Sequence, residues 1–101
     1  MIFKNHRSYH GSIKGTEAFK ILERDQRENC FLTRYSEVTS GFYITTKVGQ
    51  RNGNYLIEYC SKLVKFKIEK EYITFANLDD MFDHYKNDGT LNIGDPVEKS
   101  P

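Results

Sequence analysis

Tryptophan is missing from this 101-residue chain, and cysteine and proline occur only twice each. No run approaches the ~18 consecutive apolar residues of a membrane helix. The opening Met1-Ile2-Phe3-Lys4-Asn5-His6-Arg7 holds no apolar stretch of signal-peptide length, so a soluble, cytoplasmic protein without membrane association is expected. Cys30 and Cys60 lack the CxxC or Cys/His spacing of a zinc site, and two reduced, mostly buried thiols are expected, with no metal and no cofactor. An excess of charge is absent too: 15 Lys and Arg stand against 14 Asp and Glu, a net charge of +1, which excludes diffuse electrostatic binding to nucleic acid.

Hydrophobic residues make up 38% of the chain and charged residues 29%, enough apolar material for a single small core and too much for a disordered tail. The charge is uneven along it. Residues 1–50 carry eight basic and five acidic side chains, or +3, and residues 51–101 carry seven and nine, or −2. That asymmetry suits one anion held locally in the N-terminal half, although scattered surface charge accounts for it as well.

The pattern along the chain predicts a helix, a run of strands and a second helix. Gly11 to Gly15 reads as a turn. Thr16 can then cap a helix over about 16–25, with Ala18, Ile21 and Leu22 as its apolar stripe. Cys30 to Ser36 is rich in aromatic and β-branched residues and reads as a strand, with Leu32, Arg34 and Ser36 on one face and Phe31, Thr33 and Tyr35 on the other. Glu37 to Gly41 connects it to a second strand, Phe42 to Val48. The Asn-Gly pair in the 49–54 turn leads to a third strand, Tyr55 to Tyr59. Two further short strands are predicted at 63–68 and 72–75. Asn77 then caps a helix whose Leu78, Met81, Phe82 and Tyr85 share one face, with Asp79 and Asp80 at its positive end. The tail from 88 reads as loosely ordered, and His6 falls in a mobile end. The expected class is α+β, a central antiparallel β-sheet flanked by two α-helices.

Arg34 is the residue that points to chemistry. A guanidinium on a strand heading into the middle of a sheet cannot shed its proton to escape desolvation, so it either pairs with an internal carboxylate or waits for an external anion. Ser36 on the same face, and the hydroxyls and amides of Glu37 to Gly41, are phosphate ligands in kind. No Ser/His/Asp or Cys/His set can be paired from the layout, so an enzyme is not expected. His10 and His84 read as packing or rim residues.

Tyr9-His10-Gly11-Ser12-Ile13, Glu17-Ala18, Leu22, Phe31-Leu32-Thr33-Arg34-Tyr35-Ser36, Gly41-Phe42-Tyr43, and Phe75, Leu78, Met81 and Tyr85 together resemble a Src homology 2 domain, over about residues 8–87. The resemblance implies non-catalytic capture of phosphotyrosine in an extended peptide, a mode in which arginine reads the phosphate. On that alignment Arg34 corresponds to the family's phosphate-binding arginine and Ser36 to its hydroxyl partner. Glu37, Thr39 and Ser40 fall in the phosphate-binding loop, and Tyr55, Leu56 and Ile57 on the strand that contacts the peptide. Residues 1–7 become an N-terminal extension and 88–101 a trailing segment.

The departures are specific. Ser8 stands where the family usually has tryptophan, and Gly15 where many members place a second arginine; Lys14, one residue earlier, either substitutes for it or is simply a solvated lysine. Glu58 falls near a position that is often basic. The partners implied are tyrosine-phosphorylated proteins or peptides, bound by a monomeric adaptor or effector module in the cytoplasm, or in host cytosol if the module belongs to a bacterial effector. The alternative is a docking domain of the same fold that reads no phosphate, which an Arg34–Glu58 ion pair would mark.

Overall fold

The strand that carries Arg34 organises the molecule. In a computed structural model, which describes residues 2–99, nine elements follow in the order α1 (Ile2–Asn5), β1 (Tyr9–Ser12), α2 (Gly15–Arg24), β2 (Asn29–Ser36), β3 (Gly41–Val48), β4 (Arg51–Cys60), β5 (Lys65–Ile68), α3 (Leu78–Tyr85) and β6 (Asp95–Pro96). The sheet runs β1-β2-β3-β4-β5, antiparallel from β2 onward, while β1 and β6 both lie parallel to β2. This is the expected α+β arrangement, with α2 on one face of the sheet and α3, joined by the short α1, on the other.

The period-2 alternation of β2 divides the core in two. Leu32 and Cys30 face α2 and pack with Ala18 and Leu22, all four fully buried. Phe31, on the opposite face, belongs to the larger cluster with Ile44, Ile57, Phe66 and Ile68 from the sheet and Leu78, Met81, Phe82 and Tyr85 from α3. Asn77 caps α3 as expected: its side-chain carbonyl accepts from the Asp80 amide at 2.8 Å, and its Nδ2 donates to the Asp80 carboxylate at 3.2 Å.

Several expectations are corrected. Helix α2 starts at Gly15 with Lys14 as its N-cap, so Thr16 lies inside the helix and caps nothing. The β3–β4 turn is only Gly49 and Gln50, since Val48 pairs with Arg51; Gly49 supplies the positive φ of 61° that the tight turn needs. Asn52-Gly53 therefore sits within β4, opposite Lys47 and Thr46. Residues 72–75 form no strand, only a single bridge from Phe75 to Phe66. Cys60 is exposed, and only Cys30 is the buried thiol expected of both.

Both flanking segments are part of the fold. Phe3 of α1 is buried against Phe42, ring centroids 4.1 Å apart and nearly parallel, and meets Phe66 edge-on at 5.6 Å. His6 is fixed between Ser8 and Asp79. In the tail, Ile93 is fully buried, Asp95 and Pro96 pair with Cys30 and Phe31, and the Val97 amide donates to the Phe31 carbonyl at 2.7 Å. The trailing segment is thus ordered through the paired strand; residues 100 and 101 of the expected loose tail lie outside the described residues.

Candidate functional site

Along the α2 face of β2 the side chains pass from Leu32, sealed in the core, to Arg34, 7% exposed, to Ser36 at the rim. The guanidinium is aimed by three neutral acceptors. Its Nε–H donates to Thr45 Oγ1 at 2.9 Å, Nη1 to the Ile13 carbonyl at 3.2 Å, and Nη2 to Asn54 Oδ1 at 3.1 Å. Thr45 in turn donates its hydroxyl proton to Asn54 Oδ1 at 2.7 Å, which leaves its lone pairs toward the arginine. The ring of Tyr43 lies 5.2 Å from Cζ, in cation–π range.

Among the described residues no carboxylate lies within ion-pair distance of Arg34. Three of the five guanidinium N–H groups are taken by these acceptors, which leaves one on each terminal nitrogen. Burial pushes the Arg34 pKa down and Tyr43 opposes it; the group stays cationic throughout the physiological range.

Arg34 stands at the back of a cleft of about 800 Å³ between the start of α2 and the β2–β3 loop. Lys14, Ser36, Glu37 and Thr39 line it together with Asn54 and Tyr43. Ser40 does not reach the lining; it takes a positive φ of 55° at the end of the loop. The Thr39 amide donates to Ser36 Oγ at 3.4 Å, bracing the loop, and Ser12 donates to the Glu37 carboxylate at 2.9 Å. The walls carry two cations, Lys14 and Arg34, and two carboxylates, Glu17 and Glu37.

Gly15 has a steric reason. A Cβ there would lie 3.3 Å from Arg34 Nη2, tighter than ordinary contact, so the guanidinium fills the space from which a side chain would start.

The three residues expected on the peptide-contacting strand do not act together. Leu56 shares the α2 face with Tyr43, its register partner. Tyr55 faces the other way, and both it and Leu56 line a smaller groove of about 260 Å³ along β4, with Ile68, Glu69, Lys70, Glu71 and Leu91. Ile57 is 6% exposed and belongs to the main core, which corrects its assignment as a peptide contact. Glu58 points at neither: it pairs with Lys67 at 2.9 Å.

The sequence reading missed Thr45, Asn54, Tyr43 and the Ile13 carbonyl. Thr45 and Asn54 are direct cross-strand partners, so a correct β4 start at Arg51 would have placed Asn54 beside Thr45, which pairs with Leu32 on the same face as Arg34.

One arrangement has the look of a catalytic set. Asp79, His6 and Ser8 are hydrogen-bonded in a row, although the layout of the sequence gave no such set. The Ser8 amide donates to His6 Nδ1 at 3.1 Å, so that nitrogen is an acceptor and Nε2–H faces Asp79. The Ser8 hydroxyl is wholly buried and bonded to Thr33, out of reach of any substrate.

A protein-family model of the SH2 domain matches residues 9–85. The chain belongs to the SH2 family. No curated protein matches it. SH2 domains are non-catalytic modules that bind phosphotyrosine peptides in signalling, and among the described residues no helix is long and apolar enough to cross a membrane.

Proposed function

We propose that this SH2 domain captures phosphotyrosine with Arg34 as the bidentate anchor, the phosphate entering the cleft between Lys14, Ser36 and the loop from Glu37 to Thr39. The observation that carries the reading is a buried arginine held in place by neutral acceptors, with one N–H on each terminal nitrogen unassigned. A cation that is buried, aimed and lacking a carboxylate is costly to the fold, and an incoming phosphate offsets that cost. Ser36 adds a hydroxyl at the rim, and Tyr43 offers a ring face beside the entering phenyl group. The peptide then runs across β4 toward the groove at Tyr55 and Leu56.

The docking alternative predicted an internal carboxylate on Arg34, with Glu58 as the candidate. Glu58 is committed to Lys67 instead, which favours the reader.

The test is fluorescence anisotropy with a degenerate phosphotyrosine peptide pool. Wild type is expected to bind the phosphorylated pool and not its dephosphorylated counterpart. Arg34→Ala is expected to lose about 2–5 kcal/mol, mainly through faster dissociation, and Arg34→Lys most of that, because an ammonium lacks the planar fork. Equal binding by wild type and Arg34→Ala would overturn the assignment.

A further inference from the structure

The chain has seven tyrosines. Tyr9, Tyr35, Tyr43 and Tyr55 are half-buried, Tyr85 is sealed in the core and Tyr59 is 46% exposed, whereas Tyr72 is 95% exposed. A large aromatic ring left entirely in water contributes nothing to the core.

The backbone around it is presented in an unusual way. The Glu71 amide is held by the Ile68 carbonyl at 2.9 Å on one side, and Phe75 exchanges both backbone bonds with Phe66 at 2.7 Å on the other. Between these anchors Tyr72, Ile73 and Thr74 are exposed and belong to no helix or strand. Glu69, Lys70 and Glu71 precede the tyrosine. This is a short segment, pinned at both ends, with a phenol free to enter another protein's active site.

We propose that Tyr72 is a phosphorylation site that controls the groove beside it. In the reaction, Tyr72 Oη attacks the γ-phosphorus of ATP in a tyrosine kinase. The new O–P bond forms as the bond to the β–γ bridging oxygen breaks, ADP leaves, and the phenolic proton passes to the kinase's base.

The consequence follows from position. Glu69, Lys70 and Glu71 line the groove with Tyr55, Leu56 and Ile68, so its rim carries two carboxylates and one cation before modification. Lys67, which could offset a new anion, already donates to the Glu71 carbonyl at 3.2 Å and pairs with Glu58. A phosphate on the next residue adds about −1.5 to −2 of charge and turns the rim against acidic peptide residues downstream of phosphotyrosine. This effect on the groove rests on the reading of the Arg34 cleft given above; the modification itself does not.

The experiment treats the full chain with Mg-ATP and a soluble tyrosine-kinase domain, and maps phosphate by mass spectrometry in wild type and Tyr72→Phe. Tyr72 is expected to be the first residue modified, and Tyr72→Phe to stay unmodified at the same time point. Phosphate on other tyrosines with Tyr72 untouched overturns the site. Two phosphotyrosine peptides are then titrated, one with glutamates after the phosphotyrosine and one with alanines. Phosphorylation is expected to weaken the acidic peptide by about threefold or more at low salt, less at high salt, and to spare the alanine peptide. Unchanged affinity for the acidic peptide overturns control of the groove. So does equal weakening of both, which would place the Tyr72 phosphate in the Arg34 cleft of another copy. If unmodified protein binds neither peptide, the cleft reading falls and the groove effect with it, while the mapping still decides the site.

Discussion

At the scale of single residues, the arrangement around Arg34 divides orientation from charge. Thr45, Asn54 and the Ile13 carbonyl fix the guanidinium without neutralising it, and the opposing charge in the cleft comes from Glu17 and Glu37. Glu37 is exposed and, among the described residues, its carboxylate is held only by Ser12, so it bears on an incoming phosphate without supporting the core. Glu37→Gln keeps the acceptor for Ser12 and removes the charge. It is expected to tighten phosphotyrosine-peptide binding by about two- to fivefold at low ionic strength, shrinking as salt is added, with no change in thermal stability. Titrations at two salt concentrations check this, and weaker binding would mean that the carboxylate itself contributes to the site. Arg34 was legible in the sequence because a cation on a period-2 apolar strand is an anomaly wherever it occurs. Its aiming residues were not, because Thr and Asn are ordinary in strands, and only the β3–β4 register shows that Thr45 and Asn54 are opposite one another.

At the scale of elements, legibility followed length and local signal. Helix α3 was readable to within a residue, since its cap, its acidic first turn and its apolar stripe are all encoded within nine consecutive positions. Strands β2 and β3 were equally plain. The two short parallel strands were not: β1 has four residues and β6 two, and both exist because the edge of β2 has open backbone groups to offer, a long-range fact invisible in either segment. The Asn-Gly pair misled for a related reason. Gly49 already closed the turn three residues earlier, and β4 was free to run through Asn52 and Gly53. The segment leading into β6 depends on Gly94, whose φ is 69° and whose Cβ, if it had one, would fall 2.1 Å from the Asn29 carbonyl oxygen. Gly94→Ala is therefore expected to cost at least about 1–2 kcal/mol from the left-handed conformation alone, with the clash in addition. A melting temperature lower by about 5 °C or more, with fast exchange of the Val97 amide, would be the signature.

At the scale of the whole molecule, acid is the condition that should loosen the fold. Hydrogen bonds from the Arg27 side chain and amide hold the Asp25 carboxyl down to about 2. The Lys86 ammonium lowers Asp95 in the same direction. Burial works to raise Asp88, but the amides of Asn92, Thr90 and Leu91 outweigh it and leave its pKa lowered. In each case the folded carboxyl is the stronger acid, so the unfolded chain binds protons first as pH falls. Their contribution is complete above about pH 5, declines through the unfolded carboxylate range near 4, and for Asp25 is gone once pH passes below about 2. Thermal melts between pH 7 and pH 2 should fall on the acid side, and Arg27→Gln should flatten part of that limb; a melting temperature that rises toward acid would contradict the assignment. The same molecule has an assembly problem that its finished form conceals. One edge of β2 is covered in tandem by β6 at Cys30 and Phe31 and by β1 at Thr33 and Tyr35, segments more than eighty residues apart in the chain. Until residues 95–97 arrive, the Phe31 carbonyl has no amide to receive, and a strand of aromatic and β-branched residues offers an open ladder to any passing chain. During synthesis, the segment that covers this edge of β2 against aggregation emerges only after every other strand of the sheet.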